Sequence, residues 1–208
     1  MPQRHLTDLL QRRPELAGAE PSIKQAYEML RKCFQSGGKI LLCGNGGSAA
    51  DADHWAGELL KGFCQDRPLS KKERGSLRPA IAAKLQGALA AIPLTAFPAA
   101  STAFGNDVDP NLAYAQLTSA LGRRGDVLVG LSTSGNAKNV CAAAEVARAK
   151  GMKVIALTGA SGGKLKGLSD VCICAPSTET YRAQEYHLPV YHCLSLMLEE
   201  NFFGGGTA

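Results

Sequence analysis

Apolar residues gather in five short runs, at 40–43, 90–94, 127–131, 154–157 and 171–174, and each run is apolar nearly from end to end. A strand wetted on one face alternates apolar and polar residues, so runs without alternation read as strands covered on both faces. Helical spacing of apolar positions fills most of the intervals: 22–35, closed by Ser36-Gly37-Gly38, then 49–63, 111–121, 137–150 and a long stretch from about 179 to 202. Doubly covered strands alternating with helices predict an α/β fold, a doubly wound three-layer sandwich around a five-stranded parallel sheet. Ligands of such folds bind beyond the carboxyl ends of the strands. One segment breaks the rhythm: residues 64–89 are rich in Arg, Lys, Pro and Ser at their start and helical from about Pro79, an excursion or lid. The ends, 1–18 and 204–208, read as peripheral, and residues 1–208 as one domain.

A chain of 208 residues suffices for one core, burying roughly 70% of the surface its unfolded chain exposes. With 45% hydrophobic and 20% charged residues, and no apolar run near the roughly 20 residues of a membrane span, the reading is a cytoplasmic protein without a membrane partner. The seven cysteines are odd in number and scattered through apolar stretches, which suits reduced core thiols. Cys172 and Cys174 share a face of one strand and lack the two-residue gap of a metal knuckle. The net charge of +5 suits an anionic small molecule and equally suits a solvated surface. Much of that charge lies between Arg67 and Lys84, where no interleaved aromatic offers a base a stacking surface, so no nucleic-acid partner is expected.

Two loops carry the candidate chemistry. Gly44-Asn45-Gly46-Gly47-Ser48-Ala49 joins the first strand to a helix, and its glycines allow backbone N–H groups and the Ser48 hydroxyl to converge on an anion at a helix start. Leu131-Ser132-Thr133-Ser134-Gly135-Asn136 follows the third strand and opens the helix at Ala137, offering three consecutive hydroxyls. A serine helix cap would explain the second loop alone; two such loops favour a phosphate. Gly44-x-Gly46-x-x-Ala49 also fits a relaxed dinucleotide fingerprint, but the acidic residue expected about 20 positions later, at the end of a second strand, is absent: Cys64-Gln65-Asp66 is loop. Gly159-Ala160-Ser161-Gly162-Gly163-Lys164 is one residue short of a P-loop and is followed by Leu165.

His54 and Glu58 stand four apart on one helix and share a face, as a metal or proton-transfer pair would. Three of the four histidines, His54, His187 and His192, lie on this helix and the last one. On the last helix Gln184 and His192 are offset by about 80° around an ideal axis, with Pro189 between them. A helix histidine taken singly is as readily a packed residue with one hydrogen bond.

Residues 44–51 with His54 and Glu58, the Leu131-to-Asn136 loop, and Gln184-Glu185-x-His187 with His192 together resemble the phosphoheptose isomerases of the sugar isomerase (SIS) fold, in order and across nearly the whole chain. The resemblance implies an aldose–ketose isomerase that converts sedoheptulose 7-phosphate to D-glycero-D-manno-heptose 7-phosphate. It implies a Zn²⁺ site of His54, Glu58, Gln184 and His192, with Glu58 and His192 as the acid–base pair. Sugar-phosphate contacts are implied for Asn45, Gly46, Gly47, Ser48, Glu58, Asn106, Asp107, Ser132, Thr133, Ser134 and Gln184, in a homotetramer with sites at subunit interfaces. Two departures stand out: Ala137 replaces the usual serine after Ser-Gly-Asn, and residues 64–89 are longer than in the best-known members. The alternative is a non-catalytic phosphosugar-binding protein or replication-initiator-binding adaptor of the same fold.

Overall fold

A computed structural model describes residues 2–204. Its strands are β1 (Ile40–Cys43), β2 (Ala91–Pro93), β3 (Val127–Ser132), β4 (Lys153–Thr158) and β5 (Val171–Cys174). The helices are α1 (Gln3–Arg12), α2 (Glu20–Gln35), α3 (Gly47–Leu60), α4 (Lys71–Gly75), α5 (Pro79–Ala82), α6 (Pro98–Asp107), α7 (Ala113–Leu121), α8 (Lys138–Ala149), α9 (Gly163–Leu168) and α10 (Thr180–Phe203). The strands pair in parallel in the order β2-β1-β3-β4-β5, the five-stranded α/β sheet expected.

Two cores explain the unbroken apolar runs. Ile40, Leu42, Val127, Val129, Ile155 and Leu157 face one core with residues of α1, α2, α3 and α10. Leu41, Leu128, Val154 and Ala156 face the other, against α8, α9 and Leu117 of α7. Successive strand residues point to opposite faces, so a strand between two helical layers has no wet face on which to place polar residues. From β1 the chain steps to β2 on one side and then crosses to β3 on the other. Such a reversal opens a crevice at the carboxyl ends of β1 and β3.

The structure departs from the sequence expectation at the N-terminus and at α6. The N-terminal segment is not peripheral: Leu6 and Leu9 of α1 are wholly buried, and α1 packs on α10. α10 runs through Pro189 as one helix, the long stretch expected. The ten-residue α6 was not anticipated, because none of its residues is buried and its Ala, Ser and Gly composition leaves no apolar stripe to read. Residues 205–208 of the expected peripheral tail lie outside the described residues.

The excursion at 64–89 is clamped at its base. Pro68 and Gln86 form an antiparallel bridge, and Arg67, though part of the basic segment, is buried to 1% exposure. Its guanidinium donates from Nε to Glu199 Oε1 at 2.7 Å, from Nη1 to Leu59 O at 2.8 Å and from Nη2 to Glu58 O at 2.9 Å. Glu199 also accepts from the backbone N–H of Phe63 and Cys64. The pair thus satisfies carbonyls at the end of α3 that no further helical turn can satisfy.

Candidate active site

Both hydroxyl and glycine loops emerge at the β1–β3 crevice. Gly46 caps α3 at φ +54°, a backbone conformation that a side chain disfavours. At Gly47 an added Cβ would stand 2.4 Å from the Gln184 amide, so glycine there lets α10 close over the loop. Ser48 is buried in the first turn of α3. Asn45 and Asn139 exchange amide hydrogen bonds at 2.8 and 2.9 Å, fastening the glycine loop to the first turn of α8. Ser132 is buried at the end of β3, the backbone turns back by Gly135 N–H to Ser132 O at 2.8 Å, and Ser134 Oγ accepts from Asn136 N–H at 3.1 Å. Two helix N-termini, of α3 and α8, therefore open into one crevice with hydroxyls beside them, an arrangement suited to a phosphate.

Ala137 is the N-cap of α8 and offers no side-chain acceptor. Restoring one by Ala137→Ser is expected to raise stability by about 0.5–1 kcal/mol, the low end for a cap, because Asn139 Oδ1 already accepts from Val140 N–H. A urea midpoint that rises at unchanged slope checks this; an unchanged midpoint would contradict it.

The second cluster lies where α10 runs along α3. His54 Nε2 is 3.0 Å from Glu58 Oε1, and His54 Nδ1 is 2.9 Å from Tyr191 Oη. The His192 ring stands edge-on to that of His54 at 5.2 Å between centroids and leans on Phe63 at 5.3 Å. The His54 side chain is 46% exposed and that of Glu58 is 13% exposed, so the pair opens outward from a sheltered base. Burial, reinforced by neighbouring His54, holds the His192 imidazole below its usual pKa, keeping it neutral and able to accept. Tyr191 Oη donates to Asp51 Oδ1 at 3.3 Å, and burial raises the pKa of the Asp51 carboxyl although the nearby Gln184 amide opposes the shift.

Imidazole nitrogens and carboxylate oxygens are donors that zinc takes. Glu58 Oε2 and His192 Nε2 are buried without a partner, so the residue types at this cluster fit the ion. Among the described residues, no group of three or more His, Cys, Asp and Glu side chains is already drawn together as a finished metal site. Gln184 sits apart from the imidazoles, over Gly47 and beside Asp51. Its position eight residues before His192 is about 12 Å of rise along α10.

Residues 5–159 match the family model described as the SIS domain. Over 177 residues the chain is 45% identical to the phosphoheptose isomerase of Thiobacillus denitrificans, covering 84% of this chain and 80% of that protein. Over 185 residues it is 42% identical to the phosphoheptose isomerase of Rhodospirillum rubrum, covering 89% and 88%. Its fold matches the solved phosphoheptose isomerase of Neisseria gonorrhoeae with a TM-score of 0.75 at 36% identity, over 95% of this chain and 96% of that one. This chain belongs to the phosphoheptose isomerase family.

Of the residues that the family resemblance marked, the structure brings Asn45, Gly46, Gly47, Ser48 and Gln184 to one end of the α3–α10 seam and His54, Glu58 and His192 to the other. Ser132, Thr133 and Ser134 line the neighbouring strand end. Asn106 and Asp107 are exposed at the end of α6, where Asn106 Nδ2 donates to Asp107 Oδ1 at 3.0 Å. Earlier in α6, Ser101, Thr102 and Gly105 line a cavity of about 480 Å³ with Thr95, Tyr114 and Asn139. That cavity adjoins the glycine loop, since Tyr114 Oη donates to Gly44 O at 2.6 Å. His187 of the family motif is packed instead: burial depresses its pKa, and Nε2–H donates to Thr158 O at 3.1 Å, tying α10 to β4. Reasoning from sequence missed Asp51, Asn139 and Tyr191. Asp51 and Tyr191 carried a signal, each standing three or fewer residues from a marked histidine, but their contact spans 140 positions.

Proposed function

We propose that this protein is an aldose–ketose isomerase interconverting sedoheptulose 7-phosphate and D-glycero-D-manno-heptose 7-phosphate. The observation that carries the reading is the Glu58 carboxylate, one oxygen buried and unpartnered and the other against His54 with His192 packed on that ring, in a chain whose α3 and α8 N-termini make a crevice attractive to an anion at the other end of α3. Glu58 takes the proton from the carbon beside the carbonyl and returns it to the neighbouring carbon through an enediol, while His192 moves the proton at oxygen. Ser48, Ser132, Thr133 and Ser134, with the Asn45, Gly46 and Gly47 backbone, hold the phosphate, and Gln184, Asn106 and Asp107 contact the sugar. A Zn²⁺ ion held by His54, Glu58 and His192 would polarise the carbonyl and stabilise developing negative charge, with Gln184, which stands apart from that cluster within one chain, joining as fourth donor from another subunit. Buried, unpartnered Glu58 Oε2 and His192 Nε2 support that part of the reading.

The same proposal takes the chain as one SIS-type domain that assembles as a homotetramer in the cytoplasm. α6, with none of its residues buried within one chain, and Val108, 65% exposed just after it, are surfaces that assembly would cover. All seven cysteines are free, as a reducing compartment keeps them. Among the described residues, no helix is long and apolar enough to cross a membrane. A non-catalytic adaptor would not need a sheltered carboxylate against an imidazole with a second imidazole packed on that ring.

Thermal-shift titration tests the binding half of the proposal. Sedoheptulose 7-phosphate should stabilise the protein as its concentration passes the dissociation constant, and unphosphorylated sedoheptulose should do so far less. Equal shifts from both would contradict a phosphate site in the crevice.

A further inference from the structure

Asp51, Tyr191, His54 and Glu58 form a chain of three polar contacts: Asp51 Oδ1 to Tyr191 Oη at 3.3 Å, Tyr191 Oη to His54 Nδ1 at 2.9 Å, and His54 Nε2 to Glu58 Oε1 at 3.0 Å. Both ends are carboxylates, which accept and cannot donate when ionised. The interior members are a phenol, with one hydrogen, and an imidazole, which in its neutral form also has one. Three links need three hydrogens, and with a neutral imidazole only two are present. When Tyr191 donates to Asp51 and His54 Nδ1–H donates to Tyr191, the missing donor falls between His54 Nε2 and Glu58 Oε1. Two electron-rich atoms then face each other there, and a cation satisfies both.

Packing holds the relay in place. The Tyr191 ring stacks on Trp55 at 5.5 Å with 17° between planes, and its edge meets the His54 ring at 5.6 Å. Trp55 and Tyr191 are both fully buried, so the hydroxyl has little freedom to turn elsewhere. Asp51 lies one helical turn before His54 and is itself nearly buried, which makes it costly to leave without a donor.

We infer that Tyr191, anchored by Asp51, is a positioning residue that fixes His54 with its proton on Nδ1 and its Nε2 lone pair turned toward Glu58, preparing that pair to hold a divalent cation. The inference rests on the zinc part of the proposed function. An imidazole ligand whose other nitrogen is held by a fixed acceptor keeps one tautomer and one orientation, and loss of such a partner typically weakens metal binding roughly 10- to 100-fold.

Zinc affinity measured by chelator competition on the full chain, with ¹⁵N spectra of the imidazoles in zinc-free protein, tests the relay. Tyr191→Phe keeps the ring and its stacking but removes the hydroxyl. Asp51→Asn keeps the shape but lets the amide donate to Tyr191, which is then free to donate to His54 Nδ1 and reverse the relay. Both variants should remain folded by circular dichroism and bind zinc roughly 10- to 100-fold more weakly than wild type, and both should lose the Nδ1–H form of His54 that wild type shows. Wild-type affinity in both variants would overturn the relay and leave the zinc reading standing. If wild type binds no zinc, the zinc reading fails, and the spectra decide the relay: Nδ1–H at His54 upholds it and Nε2–H overturns it.

Discussion

Replacing Glu58 by glutamine is expected to lower turnover by several orders of magnitude while leaving substrate binding near that of wild type. Glutamine keeps the length and one oxygen of the side chain but cannot take a proton from carbon. Removal of a general base alone costs roughly 10²–10⁴ in rate. A larger loss is expected because the same oxygens face His54 and, in the proposed site, the cation. The backbone should hold its place, since the Glu58 carbonyl is fastened by Arg67 and the side chain takes no part in that contact. The check pairs kcat from an isomerase assay with substrate affinity from calorimetry. Near-wild-type kcat would remove Glu58 from the chemistry, and a large loss of affinity with unchanged kcat would make it a binding group.

The largest expected effect on stability is at Arg67. Arg67→Met leaves the Glu199 carboxylate in a site where both side chains are 0% exposed, and breaking a buried ion pair from one side costs about 3–5 kcal/mol. For a chain of this size that corresponds to a melting temperature lowered by roughly 6–20 °C. Replacing both partners with apolar residues often recovers such a loss, but here recovery should be small. Arg67 also serves the carbonyls of Glu58 and Leu59, and Glu199 serves the N–H groups of Phe63 and Cys64. A double replacement with Leu at position 199 would leave those four backbone groups without side-chain partners. Urea denaturation of the single and double variants checks the account. A single variant within about 1 kcal/mol of wild type, below the range for a broken buried pair, would contradict it.

Arg67 also shows where sequence reasoning stops. In the sequence it is one cation in a basic surface segment, and its partner lies 132 positions away. The sheet was legible because every strand between two helical layers must be apolar on both faces, a property written in the local run itself. α3 and α10 were legible by period, and the spacing of His54 and Glu58 placed them on one face before any coordinates were known. α6 was not legible, because a helix that buries nothing within its own chain has no period to detect. The roles of Asp51 and Tyr191 were not legible either, because a relay is a property of two elements brought side by side. His187 illustrates the converse: the motif marked it with its neighbours, and packing assigns it to holding α10 against β4.

The measurement closest to the central claim is the conversion of a phosphorylated ketose by the purified, zinc-supplemented full chain, followed by proton and phosphorus NMR. Incubation with sedoheptulose 7-phosphate should yield the heptose 7-phosphate aldose, with no conversion of unphosphorylated sedoheptulose and none by Glu58→Gln. Binding of sedoheptulose 7-phosphate without formation of any aldose would contradict the isomerase and leave a phosphosugar-binding protein in its place.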